Sequence, residues 1–150
     1  MTKYSMKSWT FNQVEINSVD QFPAGTIGFV YKITNIHSGK FYIGKKNLTS
    51  TRTKALTKKE LAEITDKRKS KKKKVTTESD WKTYFGSNED LKKDIQLYGS
   101  DYLDRTILCF CDSKKKLTYS EVKHQILHGV LESNNCYNTN IQGRFFKSDA

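Results

Sequence analysis

The chain has 150 residues, of which 35% are hydrophobic, and this length suffices for one compact domain with an apolar core of its own. Lysine and arginine (27 residues) outnumber aspartate and glutamate (16), and the net charge of +11 favours a polyanionic partner such as nucleic acid. Three cysteines (Cys109, Cys111 and Cys136) match no zinc or redox-pair spacing, and the N-terminus has no apolar run that would indicate a signal peptide or a membrane span. We therefore expect a reducing compartment, most simply the cytoplasm.

Residues 1–25 precede the first clear strand pattern. Trp9 and Phe11 alternate with polar residues, and the segment closes at Pro23, the only proline of the chain, and at Gly25. We interpret residues 1–25 as an N-terminal arm or an edge strand, added to a core that begins at residue 26.

Residues 28–46 predict a β-hairpin that places two tyrosines side by side. The stretches "GFVYKIT" and "FYIGKK" alternate with period two, and "NIHSGK" between them contains turn-forming residues. Tyr31 shares its side of the first strand with Ile33, whereas Tyr42 lies on the opposite side from Ile43 on the second strand. Cross-strand pairing is therefore expected to bring both hydroxyl groups to one patch.

Residues 57–80 form a basic insert. The segment "TKKELAEITDKRKSKKKK" opens with Thr57 and Glu60, whose spacing is that of a capping box, and it contains a single short apolar stripe. Seven of the eight residues in 67–74 are basic. Because one short stripe cannot anchor a long helix, we expect a helical stub that runs into a mobile basic loop.

Two helices and a third strand are predicted after the insert. An Asn88 cap followed by apolar residues at helical spacing predicts a first helix that stops at Gly99, and "RTILCFC" predicts a strand covered on both faces. A second helix is expected from residue 112 or 113 to about residue 131, with core positions at Leu117, Val122, Ile126 and Val130. The order of elements predicts an α+β fold: a small three-stranded, mainly antiparallel sheet with helices packed on it.

Two tripeptides on the predicted hairpin, Phe29-Val30-Tyr31 and Tyr42-Ile43-Gly44, resemble the motifs that give the GIY-YIG nuclease superfamily its name. The second motif is intact, whereas the first has phenylalanine in place of glycine. The family also carries an arginine after the second motif, a glutamate on a later helix and an asparagine beyond it. Arg52, Glu121 and Asn138 stand here in that order. The stretch "WKTYFGSNEDLKKDIQLYG" is similar to the members of the family that phages encode.

The resemblance implies a GIY-YIG-like nuclease domain over residues 26–140, followed by a C-terminal tail over residues 141–150. It implies a stand-alone catalytic domain that hydrolyses phosphodiester bonds of DNA with Mg²⁺, or Mn²⁺, as phage homing endonucleases do, and that acts in the cytoplasm of the host cell. Hydrolysis of this bond needs an activated water, a divalent cation and support for the charge of the transition state.

The resemblance also assigns roles to individual residues. Tyr31 positions or deprotonates the attacking water, and Tyr42 orients water or phosphate. The guanidinium of Arg52 binds the scissile phosphate through two parallel hydrogen bonds, a geometry that lysine cannot reproduce. Glu121 is the sole protein ligand of Mg²⁺, an ion that takes one or two carboxylates and keeps several waters. Asn138 holds the site or the final loop through its side-chain amide.

The chain departs from the family pattern at Leu56. Several family members have histidine or another polar residue four positions after the arginine, and Leu56 cannot form that hydrogen bond. Tyr84 and Lys46 are our candidates to supply the missing polar group. The candidate DNA-binding residues are Lys45, Lys46, Arg68, Lys71, Lys72, Lys73, Lys74 and Arg144.

Several alternatives remain open from the sequence. Each site residue taken singly also has an ordinary structural explanation, so the chain is either a nuclease or a catalytically inactive nucleic-acid-binding protein on the same scaffold. Glu121, His124 and His128 share a spacing with di-metal carboxylate proteins, but no second helix of that kind is visible, so we expect both histidines to face solvent. A double-strand cut requires a homodimer or two sequential nicks. No segment looks like a recognition module, which predicts weak sequence preference.

Overall fold

A computed structural model describes residues 7–66, 68 and 71–150 of the chain. The described residues fall into two compact units, one within Met1–Leu48 and Asp80–Ala150 and the other within Thr49–Ser79, a segment that interrupts the first in sequence. In chain order, the strands and α-helices are β1 (Trp9–Phe11), β2 (Val14–Ile16), β3 (Gly28–Asn35), β4 (Phe41–Asn47), β5 (Thr49–Ala55), α1 (Lys58–Ala62), β6 (Lys72–Glu78), α2 (Glu89–Tyr98), β7 (Leu103–Cys111), α3 (Lys114–Leu127), β8 (Asn140–Ile141) and β9 (Phe145–Phe146).

The larger unit is built on a mixed five-stranded sheet with the order β2-β1-β7-β3-β4. The predicted α+β class and the β3–β4 hairpin are confirmed, and β7 pairs antiparallel with β3. The prediction of three strands was wrong, because the N-terminal segment adds two: β1 pairs parallel with β7, and β2 pairs antiparallel with β1. The buried side chains of Trp9 and Ile16 stabilise this addition, since their apolar surface is removed from water.

The sheet carries one apolar cluster on each face. The alternation of β3 divides its side chains between them: Phe29, Tyr31 and Ile33 join a cluster with Trp81, whereas Val30 joins a cluster with Cys136 and other residues. The larger unit is therefore a layered α+β domain in which the hairpin tyrosines lie on one defined face of the sheet.

Among the described residues, no helix has the length and apolar character needed to cross a membrane.

Helix α2 begins where the sequence predicts, because the Asn88 side chain accepts a hydrogen bond from the backbone N–H of Leu91. Helix α3 is shorter than predicted and ends at Leu127. The predicted core residue Ile126 is 63% exposed, and Gln125 turns inward instead. The Gln125 amide donates a hydrogen bond to the backbone oxygen of Ile43. This polar contact, rather than apolar periodicity, determines which side of α3 faces the interior near its C-terminal end.

The smaller unit is an antiparallel two-stranded ribbon, β5 with β6, and the short helix α1. The predicted capping box between Thr57 and Glu60 is present. The prediction of a mobile basic loop needs correction at its C-terminal end, since β6 includes Lys72, Lys73 and Lys74. These lysines join a strand because the threonine-rich segment of β5 provides a partner with complementary register. Lys67, Lys69 and Ser70 lie outside the described residues.

Candidate active site

Three tyrosine rings lie next to one another on one face of the hairpin. Tyr31 pairs with Gly44 and Ile33 pairs with Tyr42, so the two strand tyrosines occupy diagonal positions on the same face. The ring centroids of Tyr31 and Tyr42 are 6.1 Å apart. Tyr84, which follows the 3₁₀ turn Trp81–Thr83, places its ring 6.0 Å from that of Tyr31. The ring of Tyr31 is therefore enclosed from two sides, and its side chain is 1% exposed.

Gly44 makes room for the Tyr31 ring, and nearby Gly86 has a backbone conformation that favours glycine. A Cβ atom at Gly44 would lie 2.6 Å from Oη of Tyr31 and 2.9 Å from its Cζ, both closer than a real Cβ contact. Gly86 has a φ of +85°, which other residues rarely adopt, and a Cβ there would lie 3.4 Å from the same hydroxyl oxygen. The glycine that ends the Tyr42-Ile43-Gly44 motif thus has a steric function: it leaves space for the tyrosine of the other motif.

Burial determines the protonation state of these phenols. Burial raises the pKa of Tyr31 well above 10, and the nearby Tyr42, Tyr84 and Glu121 raise it further. Burial also raises the pKa of Tyr42, although a hydrogen bond with Ser87 opposes the shift. The phenol of Tyr31 is consequently neutral at neutral pH.

Lys46 and Tyr84, the two candidates for the missing polar group, contact each other. Nζ of Lys46 lies 4.0 Å from the centroid of the Tyr84 ring, within the range of a cation–π interaction. The same ammonium donates a hydrogen bond of 2.6 Å to Oδ1 of Asp80, and this bond lowers the pKa of the Asp80 carboxyl. The arrangement places the Lys46–Asp80 ion pair against the Tyr84 ring.

Arg105 holds the backbone of the loop that carries Tyr84, a role that the sequence did not reveal. Its Nη1 atom donates to the carbonyl oxygens of Lys82 (3.0 Å) and Tyr84 (2.8 Å), and its Nη2 atom donates to the carbonyl oxygen of Lys7 (2.6 Å). The residue is 2% exposed, and burial lowers its pKa to about 10, so it still carries its charge at neutral pH. A polar residue at the start of an apolar strand was the only available indication.

Glu121 presents its carboxylate to an open polar cavity of about 440 Å³. Helix α3 positions this side chain, and Oε1 accepts a hydrogen bond of 2.8 Å from Nε2 of Gln142. Burial raises the pKa of the Glu121 carboxyl, while the charge of Lys45 and the hydrogen bond from Gln142 oppose that shift. Tyr42 and Asn138 line the same cavity, so the predicted carboxylate, one phenol and the predicted amide meet there.

Asn138 and Gln125 together bind the backbone of the second motif. Oδ1 of Asn138 accepts from the backbone N–H of Ile43, and its Nδ2 donates to the carbonyl oxygen of the same residue, both at 2.9 Å. Nε2 of Gln125 donates to that carbonyl oxygen at 3.1 Å. Asn138 is 4% exposed, so its amide fixes strand β4 beside Tyr42.

The donor set around Glu121 fits a hydrated magnesium ion. Gln125 lies one helical turn after Glu121 and also lines the cavity, and its buried Oε1 atom has no hydrogen-bond partner among the described residues. Glu89 and Asp90 also line this cavity, and a wall with few protein oxygens close together suits an ion that keeps most of its waters. No group of three or more His, Cys, Asp or Glu side chains in the described part of the chain forms a metal site, and His124 and His128 add none to Glu121.

Most predicted site residues meet in the larger unit, but Arg52 belongs to the smaller unit. Arg52 is exposed on β5, where its cross-strand partner is Val75. Of the candidate DNA-binding residues, Lys45 is half-buried and its Nζ donates to Thr118, whereas Arg144 is exposed. The exposed candidates of the smaller unit are Arg68, Lys71, Lys72 and Lys74, and Lys73 pairs with Glu60 there.

One family model matches the chain over residues 9–141; its description is "Putative endonuclease segE, GIY-YIG domain". The match begins at β1 and ends at β8, so it includes both N-terminal strands as well as the hairpin, Glu121 and Asn138. No curated protein and no solved structure matches the chain significantly. Because the family model covers most of the chain, the protein belongs to the GIY-YIG endonuclease family.

Proposed function

We propose that the chain is a metal-dependent DNA endonuclease that hydrolyses phosphodiester bonds and is of the phage homing type. Membership of the family supports nuclease activity. The observation that carries the proposal is the arrangement of Tyr42, Glu121 and Asn138 around one open polar cavity, with Tyr31 beside Tyr42. The phage-like stretch from Trp81 to Gly99 supports the type, since it supplies Tyr84 and Gly86 to the same cluster.

Glu121 would hold a Mg²⁺ or Mn²⁺ ion, which when bound supplies positive charge to the phosphoryl oxygens. Gln142 donates a hydrogen bond to the Glu121 carboxylate and orients it. Burial keeps the phenol of Tyr31 neutral, so we assign it the positioning of the attacking water. Tyr42 is only half-buried and lines the cavity, a placement that suits contact with the phosphate.

Lys46, in the larger unit, and Arg52, in the Thr49–Ser79 unit, are each proposed to bind phosphate. The ammonium of Lys46 contacts the face of the Tyr84 ring, and its salt bridge with Asp80 holds it in place. Arg52 has the fork geometry that bidentate phosphate binding requires. One such site breaks one strand, so nicking is the basic event, and a double-strand cut would need a homodimer or two successive nicks.

The test is nicking of supercoiled plasmid in Mg²⁺, in Mn²⁺ and in excess chelator. We expect metal-dependent nicking that falls about 100-fold in Tyr31→Phe, because the water loses a positioning group. Tyr119→Phe is the matched control: it removes the same hydroxyl from a tyrosine of α3 that is 69% exposed, and nicking should be unchanged. DNA binding without metal-dependent nicking would instead establish the inactive binding protein.

A further inference from the structure

The Thr49–Ser79 unit concentrates the positive charge of the chain. Its sequence contains eleven lysines and arginines against four acidic residues, a net charge of +7 out of +11. Its two seven-residue strands pair along their whole length, from Thr49 opposite Glu78 to Ala55 opposite Lys72. None of its described residues is buried. Strand pairing therefore orders the backbone of the ribbon, while its side chains face solvent.

The two faces of this ribbon differ. On one face Lys73 pairs with Glu60 of α1 at 2.7 Å, and Lys73 and Val75 are half-buried. The other face, which we call the open face, has only exposed side chains and is rich in threonine and lysine. It consists of Thr49, Thr51, Thr53, Ala55, Lys72, Lys74, Thr76 and Glu78.

We propose that the open face of the ribbon binds in the major groove of duplex DNA and reads bases there; this inference rests on the proposed function for the identity of the substrate. The major groove is about 12 Å wide and admits a two-stranded ribbon. A seven-residue strand is about 20 Å long, which spans roughly six base pairs. A mobile loop would lack this geometry, whereas paired strands project alternate side chains at fixed spacing.

The side chains of the open face suit base edges. Lysine donates to O6 and N7 of guanine, and threonine offers both a hydroxyl group and a methyl group that contacts the methyl of thymine. Thr51 and Thr76 stand opposite each other with their hydroxyl oxygens 3.3 Å apart, which holds both side chains in one orientation. Duplex RNA is a poorer fit, because its major groove is too deep and narrow for side chains to read.

The test measures binding of the full-length protein in excess chelator, so that no cleavage is needed. Random-sequence duplexes are selected for binding, and methylation of guanine N7 is then used to interfere with it. We expect a preferred sequence of about four to six base pairs and N7 interference within it. Equal binding to all duplexes, absence of N7 interference, or tighter binding to duplex RNA would overturn the inference.

Matched variants separate base reading from net charge. Lys72→Ser with Lys74→Ser changes the open face, and Lys58→Ser with Lys59→Ser removes the same charge from exposed positions of α1. The open-face variant should lose about tenfold or more of its discrimination between the selected sequence and random DNA. The α1 variant should weaken both equally. Equal discrimination in the two variants would overturn the inference.

A third variant, Thr51→Val with Thr76→Val, removes two hydroxyl groups without changing charge or strand propensity. It should change the selected sequence and leave the salt dependence of binding unchanged, and a thermal melt checks its folding. The outcomes stay separate from those of the nicking assay. Sequence-selective binding without nicking would contradict only the proposed function, and nicking without an effect of the open face would contradict only this inference.

Discussion

Different interactions order the side chains of the two compact units of this chain. The Tyr31 region of the larger unit is buried among aromatic rings, and its polar groups are held by buried amides and a buried guanidinium. The Thr49–Ser79 unit has no buried residue among those described and is ordered by strand pairing and one capped helical turn. We therefore expect changes in the larger unit to alter stability and chemistry together, and changes in the ribbon to alter DNA binding with little effect on stability.

The largest expected effect is that of Glu121→Ala on cleavage. Loss of the proposed metal ligand should lower the cleavage rate by about 10² to 10³-fold or more, because several kcal/mol of transition-state stabilisation disappear. DNA affinity should stay equal or rise, since a negative charge is removed. Glu132→Ala removes the same charge from an exposed position and should cleave normally. Cleavage by Glu121→Ala near the wild-type rate in Mg²⁺ would contradict the metal assignment.

Arg105→Met should destabilise the larger unit by about 3 kcal/mol, since three carbonyl oxygens lose the hydrogen bonds that the buried guanidinium donates. Chemical denaturation measures this change. Arg144→Met removes an exposed arginine and should change the free energy of unfolding by less than about 0.5 kcal/mol. Equal stability of the two variants would mean that the buried guanidinium does not hold the Tyr84 loop.

Gly44→Ala should cost about 1 to 3 kcal/mol of stability, because the new methyl group meets the Tyr31 hydroxyl and ring. The same substitution in a Tyr31→Phe background should cost less, since the closest contact, at 2.6 Å, is to the hydroxyl oxygen. A double-mutant cycle of unfolding free energies measures this coupling. Additive effects would show that Gly44 is required for another reason.

The pKa of Glu121 predicts a pH-dependent gain in stability for Glu121→Gln. Burial raises the folded-state pKa above that of the unfolded chain, so the folded state binds the proton more tightly, and the free energy of unfolding of the wild type falls as pH rises from the unfolded to the folded pKa. The glutamine variant lacks this loss. Its stability relative to wild type should therefore rise from about pH 4 to pH 7. Glu132→Gln is the control, and a parallel rise in that variant would contradict the explanation.

The smallest effect on folding is expected in the ribbon. Replacing Lys71, Lys72, Lys73 and Lys74 by serine should flatten the salt dependence of DNA binding by up to ~0.9 for each phosphate that the variant no longer neutralises. The free energy of unfolding should change by about 0.5 kcal/mol or less, because these side chains are mostly exposed. Titrations at several salt concentrations give the slope. An unchanged slope would mean that the lysines do not bind phosphate.

The sequence predicted the features that depend on neighbouring residues. The Asn88 cap and the Thr57–Glu60 capping box act within four residues, and both helices begin there. The period-two pattern around Tyr31 and Tyr42 predicted the hairpin, and the ordered motifs predicted the family. Local periodicity failed in α3, where Gln125 faces inward because Ile43, far away in the chain, offers a carbonyl oxygen.

By itself, then, the sequence determined the hairpin, the starts of two helices and the family, because capping and alternation are short-range and the motifs are written in the chain. Only the tertiary structure decided that β1 joins β7, that Arg105 supports the Tyr84 loop, and that the lysine-rich segment pairs as β6. Each of these depends on a partner distant in sequence. Strand pairing and the hydrogen bonds of a buried guanidinium depend on residues that only the fold brings together, so neither leaves a local pattern in the sequence.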